Sequence, residues 1–246
     1  MSDDLTVSLK ESPPPQVQNS AVDQLYQRLR IEIIHGDIAA GSKISEAELS
    51  RNYNVSRSTI REAITRLESA YLVSRRANAG ARVVELDIGE LLEIYQVREA
   101  LEGMACRLAA KLMSDTDIAR LDALLQTHMQ NSELREGRAY YQKEGDLDFH
   151  YRLVMGSQNS KLIHLLCDEL YAKVRMYRYQ FGMVSPRASD AFAEHRHIVQ
   201  AIVDRDGEMA EMLMRHHIRA SRNNIERQMG KREHVSPLPV STPHVR

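Results

Sequence analysis

The chain has no tryptophan, only three phenylalanines and only two cysteines in 246 residues. Cys106 and Cys167 form no CxxC pair, so a disulfide scaffold and a zinc ribbon are both unsupported. Both read as reduced thiols packed as small apolar side chains. No apolar run reaches the roughly 18–20 residues that a transmembrane helix needs. The first twenty residues carry acidic side chains and Pro13-Pro14-Pro15 without an apolar signal-peptide core. Residues 1–20 are therefore expected to be a flexible leader, and 233–246, with three prolines, a disordered tail. With no signal and no membrane span, the expected location is cytoplasmic. Charge of one sign is lacking too: the net charge is −1, so the whole chain does not advertise nucleic-acid binding.

What is present divides in two. Residues 21–84 hold ten Lys/Arg against seven Asp/Glu, a mildly basic front on an acidic remainder. Val22, Leu25, Leu29 and Ile33 recur at helical spacing up to Gly36. After a short loop containing Gly41, Ser45-Glu46-Ala47-Glu48 matches a capping box and starts a second short helix running to about Tyr53. Asn54 suits a left-handed turn, and Ser56 can cap a third helix. The inner face of that helix is Ile60, Ala63, Ile64 and Leu67; its outer face is Arg57, Ser58, Arg61, Thr65 and Arg66. Leu72–Arg76 and Ala81–Val84 are β-prone runs around Ala77-Asn78-Ala79-Gly80, a hairpin.

Two short helices joined by a tight turn, the second basic on its outer face, make a helix-turn-helix, and the hairpin makes it winged. Such a helix enters the major groove with its N-terminal residues at the base edges. Ser56, Arg57, Ser58, Thr59 and Arg61 supply hydroxyl and guanidinium donors there, with Arg57 and Arg61 one turn apart. Taken alone, that helix reads equally as a charged solvated surface. The order helix-turn-helix-wing is what favours DNA.

From residue 87 to about 232 the pattern is helical throughout, giving an all-α domain. The expected helices run from Asp87 to Met113, from Ser114 to Glu136, and over about 138–156, 160–181, 188–205 and 207–231. In the first, Leu91, Ile94, Arg98, Leu101, Ala105, Leu108 and Leu112 form one seam that Arg98 interrupts. A guanidinium there must be paired or solvated. Either Glu102, one turn on, satisfies it, or it faces a cavity and binds an acidic ligand. Asp146 and His150 share a helix face with Leu153, and His195 sides with Phe192, Val199 and Ile202. His197 falls on the outer face with Glu194. Periodicity does not separate His216 from His217. Inward histidines and an aspartate on separate helices suit a divalent metal, although each histidine singly is more often a core or surface residue, and no HExxH occurs. Tyr177, Tyr179, Arg152 and Arg175 are further candidates to line a pocket.

The run Val55-Ser56-Arg57-Ser58-Thr59-Ile60-Arg61-Glu62-Ala63 within "GSKISEAELSRNYNVSRSTIREAITRLESAYLVSRRANAGARVVE" resembles the winged-helix domain of the GntR family of bacterial regulators. The resemblance implies that Arg57 and Arg61 contact operator DNA and that the wing, near Asn78, Gly80 and Arg82, reaches the minor groove. This sequence departs from the family where Ala47 replaces a DNA-contacting arginine, where Tyr71 replaces the glycine after the third helix, and in lacking a wing-tip histidine. "EIYQVREALEGMACRLAA", "DLDFHYRLV", "EHRHIVQAIVDRD" and "MRHHI" resemble the FCD effector domain of FadR-type members. That resemblance implies a metal, Zn²⁺ or Ni²⁺, held by Asp146, His150, His195 and His217. His217 is chosen over His216 because it directly precedes Ile218.

These readings describe a homodimeric regulator, by default a repressor, of an inverted-repeat operator in double-stranded DNA. A small organic acid would take an open position on the metal, with Arg98 neutralising a carboxylate. Rival readings are a regulator that senses the metal itself and a metal-dependent enzyme. The enzyme reading leaves the first 84 residues unexplained and offers no independent base. A constitutive DNA binder with a vestigial sensor conflicts with the intact ligand set.

Overall fold

The computed structural model describes residues 20–76, 80–131, 145–181 and 187–233, with backbone alone at 76, 145–148 and 230–233. The expected leader except Ser20, the tail from His234, and the wing tip at 77–79 lie outside the described residues.

The front of the chain folds as helix α1 (Ala21–His35), strand β1 (Lys43–Ile44), α2 (Glu46–Tyr53), α3 (Arg57–Ser69), β2 (Val73–Arg76) and β3 (Gly80–Val83). Ser20 belongs to this unit rather than to the leader. Its hydroxyl accepts the Asp23 N–H while the Asp23 carboxylate accepts the Ser20 N–H, a full capping box. Ser45 and Ser56 cap α2 and α3 through the N–H groups of Glu48 and Thr59. Asn54 turns the chain between them at φ 52°. The inner faces are those the periodicity predicts: Leu25, Leu29 and Ile33 pack on Ile60, Ala63, Ile64 and Leu67.

Helix α3 ends in a Schellman closure, with Leu72 N–H on the Leu67 carbonyl and Tyr71 N–H on the Glu68 carbonyl. Tyr71 therefore sits at φ 55°, the left-handed position where glycine carries no Cβ penalty. The hairpin pairs Val73 with Val83 and Arg75 with Ala81, and β1 adds to its other edge through Lys43–Arg82 and Ile44–Ala81. This antiparallel sheet has the order β1-β3-β2. Sequence periodicity places β1 in a loop, because two residues carry no period-2 pattern.

The all-helical part consists of α4 (Ile88–Leu112), α5 (Asp115–Gln130), α6 (Gly145–Gly156), α7 (Ser160–Ile163), a π-helical turn (His164–Leu170), α8 (Tyr171–Gln180), α9 (Ala188–Val203) and α10 (Gly207–Glu233). Helix α5 stops at Gln130 rather than Glu136, with Asn131 already extended at ψ 113°. Asn and Ser favour local side-chain bonds over helix continuation, and Asn131-Ser132 stands at that point. The expected single helix 160–181 is broken by the wide π turn, which residue periodicity does not encode.

The apolar seam of α4 also differs from the expected one. The buried stripe is Leu91, Ile94, Tyr95, Arg98, Glu102, Ala105, Cys106, Ala109 and Ala110, ending on Met113, while Leu112 is exposed and Leu101 and Leu108 are half-buried. A strict 3.5-residue repeat drifts by about 20° per heptad around a straight helix, so over this length the stripe rotates away from Leu112. Helices α4 and α10 pack along each other. Gly103 permits this, since a Cβ there would come within 2.8 Å of Arg215 Cγ.

Cys106 and Cys167 are both free thiols, pushed up by burial, Cys167 to about 12. No helix among the described residues is long and apolar enough to cross a membrane.

Candidate metal centre and nucleic-acid interface

Four helices of the all-α domain converge on a buried polar cluster. Helix α6 supplies His150, α9 supplies His195, and α10 supplies His217; each is at most 2% exposed. One ligand atom from each lies within 4.8 Å of the others. His195 Nε2 and His217 Nε2 are 3.2 Å apart. Two imidazole nitrogens bound to one tetrahedral ion at about 2.0–2.1 Å stand about 3.3 Å apart, so this spacing suits a shared metal. Phe149 stacks on His195 at 4.0 Å between centroids and walls one side of the cluster.

The outer partners make the donor set more specific. His150 Nδ1 meets Glu102 Oε2 at 2.6 Å, and His217 Nδ1 meets Glu194 Oε2 at 2.6 Å. An ionised carboxylate only accepts, so each Nδ1 carries the proton and each Nε2 presents its lone pair. Burial works to raise the Glu102 carboxyl, but Arg98 and His150 outweigh it and hold it down to about 2. Burial likewise opposes the charge on Glu194, and His217 and Arg187 outweigh it. Arg187 Nη2 reaches Glu194 Oε1 at 2.5 Å, so this carboxylate is also held on both sides.

Arg98 is fully buried and donates through Nε to Glu102 Oε1 at 2.6 Å. One carboxylate thus ties Arg98 to His150. Of the two sequence alternatives for Arg98, the pairing with Glu102 is the one seen. Glu102 satisfies only the Nε edge, and Nη1 and Nη2 are buried without hydrogen-bond partners. The guanidinium carbon lies 4.7 Å from the Tyr95 ring and 5.5 Å from the Tyr171 ring. The Tyr171 hydroxyl is also buried without a partner. These donors share one buried region beside the histidine cluster.

Asp146 lies on α6 one turn before His150, and its side chain is outside the described residues. His216 is exposed and His217 buried, a choice that periodicity left open. His197 is exposed as expected, but Glu194 is not on its solvent face; it is half-buried against His217. Neither Glu194 nor the second contact of Glu102 had a sequence signal, because their partners lie 23 and 48 residues away. Arg152 is exposed and lines an open surface pocket with Asp117, Arg120 and Tyr151, none of which belongs to the histidine cluster. Tyr177 and Tyr179 sit in the joint between the two parts, and Tyr171, which sequence reasoning missed, takes the place beside Arg98.

On the front unit, Arg57 and Arg61 are exposed on the first turns of α3. Arg61 Nε rests on Glu46 Oε2 of α2 at 2.8 Å, an exposed pair that a phosphate or base can displace. The Ser56 hydroxyl is committed to the cap and lies 2.7 Å from Ser58 Oγ and 2.8 Å from Thr59 Oγ1. Gly80 starts β3 at φ 76°, and Arg82 reaches back to the Gly41 carbonyl at 2.9 Å. Asn78 lies outside the described residues.

A helix-turn-helix with its wing, joined to a helical domain that gathers buried histidines, is the build of a two-part DNA-binding transcription regulator. Residues 21–83 match the bacterial regulatory proteins of the gntR family, and residues 93–220 match the FCD domain. The chain belongs to the GntR family of bacterial regulatory proteins and carries an FCD domain. It is 30% identical over 215 residues to the uncharacterized HTH-type transcriptional regulator YdfH of Escherichia coli O6:H1, covering 87% of this chain and 91% of that one. It is 29% identical, at the same coverage, to the HTH-type transcriptional repressor RspR of Escherichia coli K12. Among solved structures it shares its fold with E. coli McbR/YncC at a TM-score of 0.66 and 19% identity, over 85% of this chain and 99% of that one. A GntR regulator of Rhodococcus sp. RHA1 superposes at 0.63 with 19% identity, over 83% and 97%. These relatives are transcription regulators, so the metal-dependent enzyme is set aside.

Proposed function

We propose that the protein is a repressor whose affinity for an inverted-repeat operator is set by a small organic acid bound beside a divalent metal. The metal would be held by His150, His195 and His217, with Asp146 completing the set, and Zn²⁺ and Ni²⁺ both suit these donors. Bound there, the ion would supply a Lewis-acidic anchor for an oxygen of the effector. Arg98 would take a carboxylate through its Nη1 and Nη2 edge. That unpartnered buried edge, one carboxylate removed from His150, is the observation that carries the reading. An ion alone leaves those donors unsatisfied, which favours an organic anion over the metal as the signal.

Residues 21–84 would read DNA and 87–232 would bind effector and dimerise. Arg57 and Arg61 would contact base edges, Ser56, Ser58 and Thr59 the phosphates, and Asn78, Gly80 and Arg82 the minor groove. A homodimer would match the two half-sites.

The test is to sequence sheared genomic DNA recovered on the purified protein, with Arg57→Ala/Arg61→Ala as control. A short inverted repeat lost in the control is expected. Genes beside it give a shortlist of acids for titration against wild type and Arg98→Ala. Equal enrichment by wild type and control overturns the DNA assignment. Undiminished effector affinity in Arg98→Ala overturns the assignment of the arginine.

A further inference from the structure

We propose that helix α8 carries the state of the Arg98 site to the DNA-reading unit, with the π turn ahead of it as the movable joint. The inference concerns regulation of the site described above and rests on that reading. It follows from an unusual distribution of contacts along ten residues.

Two opposite stripes of α8 belong to two different cores. Val174 and Tyr177 pack in the core of the sensor, and Arg178 Nη2 donates to Tyr95 Oη at 3.0 Å. Ala172 and Met176, 1% and 0% exposed, instead complete the core of the reading unit beside α1. Tyr179 lies 4.3 Å from His35, the last residue of α1, and Gln180 Nε2 donates to the Ile33 carbonyl at 2.8 Å. One helix face thus closes the sensor, and the other closes the winged helix. Close-packed interiors transmit displacement rather than absorb it. A shift of α8 by a fraction of an ångström must therefore be felt in α1, against which α3 is packed.

The first residue of α8 stands in the ligand site. Tyr171 has its ring 5.5 Å from the Arg98 guanidinium carbon and a buried hydroxyl without a partner. In this proposal a carboxylate seated on Arg98 Nη1 and Nη2 also accepts from that hydroxyl, a bond available to Tyr171 only in the liganded state. A ligand shifts an equilibrium only through such a differential contact. Immediately before Tyr171 lies the π turn His164–Leu170, whose wide hydrogen-bonded rings are rare and concentrate at functional sites. Rewinding within it lets α8 slide while α7 stays in place.

The linker is tied to the same helix. Tyr177 Oη accepts the Asp87 N–H at 3.0 Å and donates to Glu90 Oε2 at 2.7 Å, and Lys173 pairs with Glu90. The chain leaving the wing is thereby pinned to α8, so helix and linker move as one.

The test is hydrogen exchange on the full-length protein, comparing wild type, Tyr171→Phe, Tyr179→Ala/Gln180→Ala and the combination. Tyr171→Phe removes the unpartnered hydroxyl, and with it the cost of burying that group unsatisfied, so it stabilises the packed position of α8 without any ligand. It should slow exchange about fivefold or more across 164–180 and in the last turns of α1, leaving the remote α5 unchanged. In the combined variant the change at 164–180 should persist and the change in α1 should shrink, the remainder passing through Ala172 and Met176. Exchange in α1 that is identical in wild type and Tyr171→Phe overturns the relay. A parallel titration with Zn²⁺, read by calorimetry, separates the two readings. Absence of zinc binding removes the metal site while the ligand-free variants still decide the relay. Should Tyr179→Ala lower the yield of folded protein, Gln180→Leu, which removes the donor to Ile33 without adding a charge, replaces the double variant.

Discussion

Changing Glu102 to glutamine tests the polar centre of the sensor most directly. The carboxylate is 1% exposed and accepts from two donors, the Arg98 Nε–H and the His150 Nδ1–H, each at 2.6 Å. An isosteric amide keeps the volume, removes the charge, and leaves a fully buried guanidinium without its counter-ion. Breaking a buried pair by removing one partner costs about 3–5 kcal/mol. Against a whole stability of about 5–15 kcal/mol this brings the sensor close to unfolding under mild conditions. For a unit of roughly 150 residues it corresponds to a fall of about 6–20 °C in Tm. The outer partner of His150, a proposed metal ligand, is also lost, so on that reading zinc affinity should fall about 10- to 100-fold. Thermal unfolding and calorimetric titration measure the two effects separately. The control is Arg98→Met/Glu102→Leu, which replaces the pair by apolar groups. Stability should recover in large part, because removing both charges removes the desolvation problem, but stay below wild type by about 1–3 kcal/mol for the buried His150 Nδ1–H left without an acceptor. Zinc affinity should stay low, since His150 Nδ1 has still lost its acceptor. If Glu102→Gln costs less than about 1 kcal/mol, the size of a surface pair, the reasoning about this cluster is wrong.

Other expectations follow from single residues. His217→Ala should abolish stoichiometric zinc binding while His216→Ala, altered at an exposed neighbour, retains it; equal loss in both would break the proposed ligand set. Tyr71→Gly should raise the thermal midpoint by relieving a left-handed φ of 55° on an exposed side chain, by about 1 kcal/mol or less once glycine's unfolded-state entropy is counted. A lower midpoint would show that the tyrosine ring contributes more than its backbone costs. Asp23, bonded to Ser20 and Arg66, is held at about 2 instead of 3.8. Its contribution to the reading unit is thus complete above pH 3.8 and lost as the pH falls toward 2. Asp23→Asn should flatten acid denaturation across that window, as followed by circular dichroism.

The amino-acid sequence by itself determined the reading unit almost completely. Its helices are short and capped by Ser45 and Ser56, its turn by Asn54, and its inner faces by apolar residues three and four apart. Each of those devices acts within one or two turns of chain, so it is written in consecutive residues. The same locality identified most helices of the all-α domain and the inward candidates His150 and His195, whereas His217 was chosen only through the family resemblance. It failed where the deciding contact is distant. The facing of His217 over His216 was settled by the packing of α10. Glu194 turned inward because His217, 23 residues on, offers its Nδ1. Glu102 joined Arg98 to His150 because α6 crosses α4 at that level. The strand Lys43–Ile44 exists only through its partner β3. Helix α8 is buried on two faces because two domains meet on it, and no period in its ten residues says which neighbour each face will find. Local pattern specifies which surface of an element is buried; what it is buried against is a property of the assembled chain.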